Sequence, residues 1–129
     1  MNTIQLTINK RKVTFTLGLI FIGEMLDKYE TSVEELFTKV DRNPFKWLPL
    51  TMYESAKATF DLDGKQIDFT YKEFINDIEQ DGGVGGPAAT EFTIAFVKSM
   101  VKDVPLEEEE TKDGGNDENT ESKTEEKKS

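Results

Sequence analysis

The first seventeen residues place the tightest constraint on the fold. From residue 3 to residue 17 apolar and polar side chains alternate with period two. Ile4, Leu6 and Ile8 oppose Thr3, Gln5 and Thr7, and Val13, Phe15 and Leu17 are interleaved with Thr14 and Thr16. The polar stretch Asn9-Lys10-Arg11 separates the two runs. Two alternating, β-branched-rich runs around a short polar turn predict a β-hairpin. An isolated hairpin is marginal in water, so its apolar face has to be covered by later parts of the chain.

The nearest candidate is the adjoining stretch, Gly18 to Tyr29. Leu19, Ile22, Leu26 and Tyr29 recur at helical spacing, and Ile20, Phe21 and Met25 widen the stripe until the first turns are apolar nearly all round. A helix of that kind belongs inside a core rather than on a surface, so this stretch is expected to be the central helix. Gly23 costs about 1 kcal/mol against Ala in a helix interior, and its expected use is to let another segment pack closely there.

The later elements announce themselves by their ends. Ser32-Val33-Glu34-Glu35 and Thr70-Tyr71-Lys72-Glu73 are capping boxes, in which the hydroxyl and the glutamate satisfy two backbone N–H groups reciprocally. The first opens a helix with Val33, Leu36, Phe37 and Val40 inward, ended by Asn43-Pro44. Phe45 to Pro49 is expected to be a short turn, with Pro49 in the first turn of a further helix carrying Met52, Tyr53, Ala56 and Phe60. Asp61-Leu62-Asp63-Gly64 stops that helix, and Ile67 and Phe69 form either a very short strand or an anchor for the link. The second capping box opens a helix with Tyr71, Phe74, Ile75 and Ile78 on one side. After Asp81 to Gly86, read as a flexible hinge, Pro87 begins a last helix with Phe92, Ala95, Phe96 and Met100 on one face. The expected fold is α+β and predominantly α: an N-terminal hairpin packed on a bundle of about five short helices.

Charge divides the chain. It has 129 residues, 26 acidic and 16 basic, for a formal net charge of −10. Residues 106–129 account for −6 of this with one aliphatic and no aromatic side chain. A segment so poor in apolar groups cannot offset its ordering entropy, so residues 1–105 are expected to be the globular domain and 106–129 a disordered acidic tail. With no cysteine or histidine, disulfides, thiolate or imidazole metal sites and His- or Cys-dependent catalysis are excluded. The acidic balance disfavours a nucleic-acid partner. No apolar run approaches a membrane span, and the N-terminus lacks the layout of a signal peptide. A soluble intracellular protein is the expectation.

Neither of the two loops that invite chemistry carries it. Gly83-Val84-Gly85-Gly86-Pro87-Ala88 fits a loose dinucleotide-binding pattern, but comes after a helix where that motif requires a strand. Asp61, Asp63 and Asp68 around Gly64 lack calcium-loop spacing. No catalytic, cofactor-binding or metal-ligating residue is assigned. The candidates for partner binding are the apolar groups of the Trp47 segment, Phe45, Trp47 and Leu48, and those of the last helix, Phe92, Phe96 and Met100. That helix carries large apolar groups on both sides, more than one core face requires.

Taken together, residues 1–105 resemble the tail assembly chaperones of long-tailed bacteriophages. The resemblance is carried by Ile4-Gln5-Leu6-Thr7-Ile8-Asn9, the return Val13-Thr14-Phe15-Thr16-Leu17-Gly18, and the helix Phe21 to Tyr29. The order of short helices, the acids Asp77 and Glu79 on the penultimate one, and the final apolar helix from Phe92 to Met100 also fit. The resemblance implies a non-enzymatic factor of the host cytoplasm that coats the apolar tape measure protein and is absent from the mature virion. It further implies a longer form, made by ribosomal frameshifting, that recruits the tail tube protein. Lys127-Lys128 are compatible with a slippery A-rich codon run, and a solvated charged tail explains them equally well. The alternative function is a structural tail or neck protein of the virion.

Overall fold

Strands β1 (Asn2–Ile8) and β2 (Arg11–Leu17) pair antiparallel in the computed structural model, which describes residues 2–101. Ile8 pairs with Arg11, so the turn has two residues, Asn9 and Lys10. Both have positive φ, 50° and 69°. That is the type I′ geometry whose twist matches the strands. Leu6, Ile8, Val13, Phe15 and Leu17 are buried on the predicted face. Thr16 departs from the alternation and is buried as well.

Beyond the hairpin lie five helices: α1 (Leu19–Lys28), α2 (Val33–Arg42), α3 (Pro44–Leu62), α4 (Tyr71–Gln80) and α5 (Pro87–Val101). The α+β, mainly helical architecture expected from the sequence is the one that forms. Both capping boxes close, with Glu35 N–H to Ser32 Oγ at 3.1 Å and Glu73 N–H to Thr70 Oγ1 at 3.1 Å. The hydrogen bonds that the Glu35 carboxylate accepts, chiefly from the Ser32 backbone, hold its pKa below the usual value. Residues 65–70 form no strand, and the buried Phe69 anchors the link instead. The expected tail, residues 106–129, lies outside the described residues.

Three expectations fail. Phe45 to Pro49 is not a turn. α3 begins at Pro44, in the first helical position, and runs through Pro49. A proline there removes one backbone bond, to the carbonyl of Phe45; Phe45 lies at the exposed start of the helix, where water can satisfy that carbonyl. The central helix is also not α1 but α3, which packs on β2 and on every other α-helix. α1 commits one face only: Phe21, Ile22 and Met25 are buried, whereas Leu19 and Ile20 are 79% and 65% exposed. Nor does Gly23 serve close packing: it lies on the outer face, and a Cβ there would meet nothing within 4 Å.

α3 is held across β2 by hydroxyls. Ser55 Oγ donates to the Thr16 carbonyl at 2.6 Å, and Thr59 Oγ1 donates to the Thr14 carbonyl at 2.8 Å. Thr16 Oγ1 then donates to Thr59 Oγ1 at 2.8 Å, which explains the burial of Thr16. On the other side of the molecule the hairpin turn is tied to α4. The buried Asp77 accepts from Asn9 Nδ2 at 3.0 Å and from Arg11 Nε at 3.1 Å.

Ser55→Ala leaves the buried Thr16 carbonyl without its donor and is expected to cost about 1–3 kcal/mol. Gly23→Ala adds a methyl group in open space within a helix and is expected to stabilise by up to about 1 kcal/mol. Urea titration of each variant checks both signs.

Candidate functional site

The six residues singled out from the sequence do not form one surface. Leu48, Phe92 and Phe96 are 6%, 0% and 4% exposed, and Met100 packs half-buried against the same core. Phe92 sits edge-on to Phe15 with ring centroids 5.2 Å apart and stacks on Phe96 at 5.8 Å. Phe96 in turn meets Phe37 of α2 at 6.1 Å. These rings close the core under the hairpin, so they can meet a partner only if α5 leaves it. The side of α5 that faces outward carries Ile94 and Val97, 51% and 38% exposed.

The segment before α5 is folded rather than an open hinge. Gly83–Gly85 make a single 3-10 turn, and Gly82, in the left-handed region at φ 110°, ends α4. The Asp81 carboxylate accepts from the Ala88 N–H at 3.3 Å, at the start of α5. A Cβ on Gly86 would collide with the Asp81 carbonyl oxygen. Here the glycines serve close approach of backbone to backbone.

Phe45 and Trp47 remain at the surface, where α2 meets α3. Phe45 is 78% exposed. Trp47 is half-buried, edge-on to Tyr29 at 5.9 Å, with the ammonium groups of Lys39 and Lys46 at 5.2 and 5.3 Å from its ring centroid. The Tyr29 hydroxyl donates to Glu54 at 2.7 Å, and burial together with that carboxylate pushes its pKa above the ordinary tyrosine range.

A groove of mixed character runs between α1 and α3. One end is a pocket of about 240 Å³ lined by Thr16, Ile20, Phe21, Ala58 and Leu62. It continues, through Phe21, Glu24, Ala58 and Asp61, into a narrower part of about 180 Å³ beside Lys28, Glu54 and Lys57. Ile20 is 65% and Leu62 52% exposed; Leu19, the preceding residue, is 79% exposed and lies outside the lining. Glu24 and Asp61 border the apolar end, and the Lys28–Glu54 ion pair, 2.6 Å, closes the other. The sequence did carry a signal for the groove. Phe21, Ile22, Met25, Leu26 and Tyr29 already complete one inward stripe on α1, which leaves Leu19 and Ile20 surplus to the core.

A further cleft, about 270 Å³, lies between β2, the end of α3 and the link. Bases and acids alternate around it: Arg11, Lys12 and Lys65 against Asp63 and Asp68. Arg11 is engaged by Asp77 and lies 4.9 Å over the Phe69 ring. Among the described residues no group of three acidic side chains is arranged to hold a metal ion, and no helix is long and apolar enough to cross a membrane.

Substitution separates core from surface. Phe92→Ala is expected to cost about 3–5 kcal/mol, while Phe45→Ser is expected to change stability by less than about 0.5 kcal/mol; thermal and urea unfolding of the two variants test this. Compared with known proteins, the chain matches no family model, no curated protein and no solved structure.

Proposed function

We propose that the chain is a tail assembly chaperone of a long-tailed bacteriophage, a non-enzymatic protein that binds and solubilises the tape measure protein. The observation that carries this proposal is the groove between α1 and α3. Ile20 and Leu62 are exposed along it and are bordered by Glu24 and Asp61. An amphipathic helix lays its apolar face into such a groove. Burying one large aliphatic side chain contributes about 1.5–3 kcal/mol, so covering Ile20 and Leu62 favours such a contact. A net charge of −10 keeps a coated apolar helix in solution through mutual repulsion of the coats.

The resemblance in layout supports the same function. It brings with it action in the host cytoplasm, absence from the mature virion, and a longer frameshifted form that recruits the tail tube protein. Lys127 and Lys128, on which the frameshift suggestion rests, lie outside the described residues.

Co-expression tests the proposal. The intact chain is expected to move the tape measure protein from the insoluble to the soluble fraction and to co-purify with it. Ile20→Asp combined with Leu62→Asp, both at exposed positions, is expected to leave the fold unchanged by circular dichroism and to abolish the complex. If the tape measure protein stays insoluble with the intact chain, the chaperone function is wrong; if the double variant still rescues it, the groove is. Mass spectrometry of purified particles distinguishes a chaperone, absent from them, from a tail or neck subunit.

A further inference from the structure

The sheet has a second edge, the outer side of β1. In the two-stranded ladder the Thr14 and Thr16 carbonyls point away from β1, toward Thr59 and Ser55. Opposite residues of an antiparallel pair alternate between exchanging both backbone bonds and exchanging none. Thr14 and Thr16 are opposite Gln5 and Thr3, and Lys12, two residues before Thr14, is opposite Thr7. The N–H and C=O groups of Thr3, Gln5 and Thr7 therefore point out of the sheet. Among the described residues no backbone or side-chain group bonds to them, and all three residues are exposed. A strand edge is ordinarily blunted by a charge, a proline, a bulge or shortness. β1 has none of these. Asn2–Ile8 is seven residues long, uncharged and free of proline, and it pairs one-to-one with β2 throughout. Its core face is also incompletely covered: Leu6 and Ile8 are buried, whereas Ile4 on the same face is only partly so.

We propose that this edge is a dimer interface, at which β1 of a second copy of the chain pairs antiparallel with β1 about a two-fold axis through Gln5. The strand itself selects that occupant. With Gln5 opposite the partner subunit's Gln5, Thr3 falls opposite the partner subunit's Thr7, and Thr7 opposite the partner subunit's Thr3. Each of these pairs exchanges two bonds, so no outward N–H or C=O of either edge is left unpaired. The same register sets Ile4 opposite the partner subunit's Leu6, in the closely spaced class of pair. The partly buried Ile4 thereby gains an apolar neighbour on the core side. On the solvent side threonine meets threonine, a favourable cross-strand pair. A charged strand would repel its own copy directly across the axis, and β1 carries no charge. The interface is separate from the α1–α3 groove and does not depend on the tape measure protein.

Sedimentation and amide hydrogen exchange of the full chain, followed from micromolar to millimolar concentration, test the proposal. The mass is expected to double, and the Thr3, Gln5 and Thr7 amides are expected to gain protection in step with it. Salt is expected to strengthen the dimer, because each copy carries a net charge of −10 and no ion pair joins the strands. Gln5→Pro removes an outward N–H and leaves the β1–β2 ladder bonds in place. It is expected to abolish the dimer and to keep the fold by circular dichroism. Charges test the register. In a chain carrying Thr7→Glu, Thr3→Glu sets like charges opposite each other and is expected to abolish the dimer, whereas Thr3→Lys sets opposite charges and is expected to retain it. A chain that stays monomeric at every concentration overturns the proposal. So does a dimer in which the three amides gain no protection, or one that forms equally well in both charge variants.

Discussion

A two-stranded sheet has two exposed edges, and the outer edge of β2 is the constraint on which the rest of this structure depends. The carbonyls of Thr14 and Thr16 point away from β1 and would invite another strand. α3 takes that place with side chains in lieu of backbone. Ser55 and Thr59, one turn apart, donate to the two carbonyls, and Thr16 Oγ1 completes the network. A buried carbonyl without a donor costs about as much as several buried methyl contacts contribute. The hydroxyls therefore determine where α3 lies along the hairpin.

With α3 fixed, the other helices have little freedom. α1 continues from β2 directly through Gly18 and can only pack alongside α3 and β2, on one face. α4 is tied to the far end of the hairpin by Asp77, whose two oxygens are used by Asn9 and Arg11. α5 fills the remaining space, and Phe92 and Phe96 join Phe15 and Phe37 in one aromatic series. The rings of α5 are thus spent on the core, and large exposed apolar side chains remain on two sides of α3: at the groove with α1 and at the corner with α2. The two differ in character. The groove joins apolar side chains to charged ones of both signs, and the corner carries the exposed Phe45 and the half-buried Trp47.

Much of this fold is legible in the residues alone. The hairpin and its buried face come from period-two alternation, although Arg11, read with the polar turn, belongs to β2, and both capped helices come from local chemistry that needs no tertiary partner. The stop at Asp61 to Gly64 is equally local: Gly64, at φ 69°, lets the N–H groups of Gly64 and Lys65 return to the carbonyls of Asp61 and Phe60. The candidate binding residues are less legible. Apolar character marks Leu48, Phe92 and Phe96 as important without saying whether they face the core or a partner, and of the six candidates Phe45 and parts of Trp47 and Met100 reach the surface.

The sequence by itself determined which segments are strands and helices and where most of them end, because periodicity, caps and left-handed turn positions act within a few residues. Tertiary structure alone decided that α3 rather than α1 is central, that Pro49 is carried inside a helix, and that Leu19 and Ile20 remain exposed. Those outcomes depend on which of several apolar faces the hairpin accepts, and that is settled by buried carbonyls finding donors far along the chain. The stretch from Gly18 to Tyr29 is apolar enough to be a core helix. It lies at the edge because Ser55 and Thr59, and nothing on α1, satisfy the open side of β2.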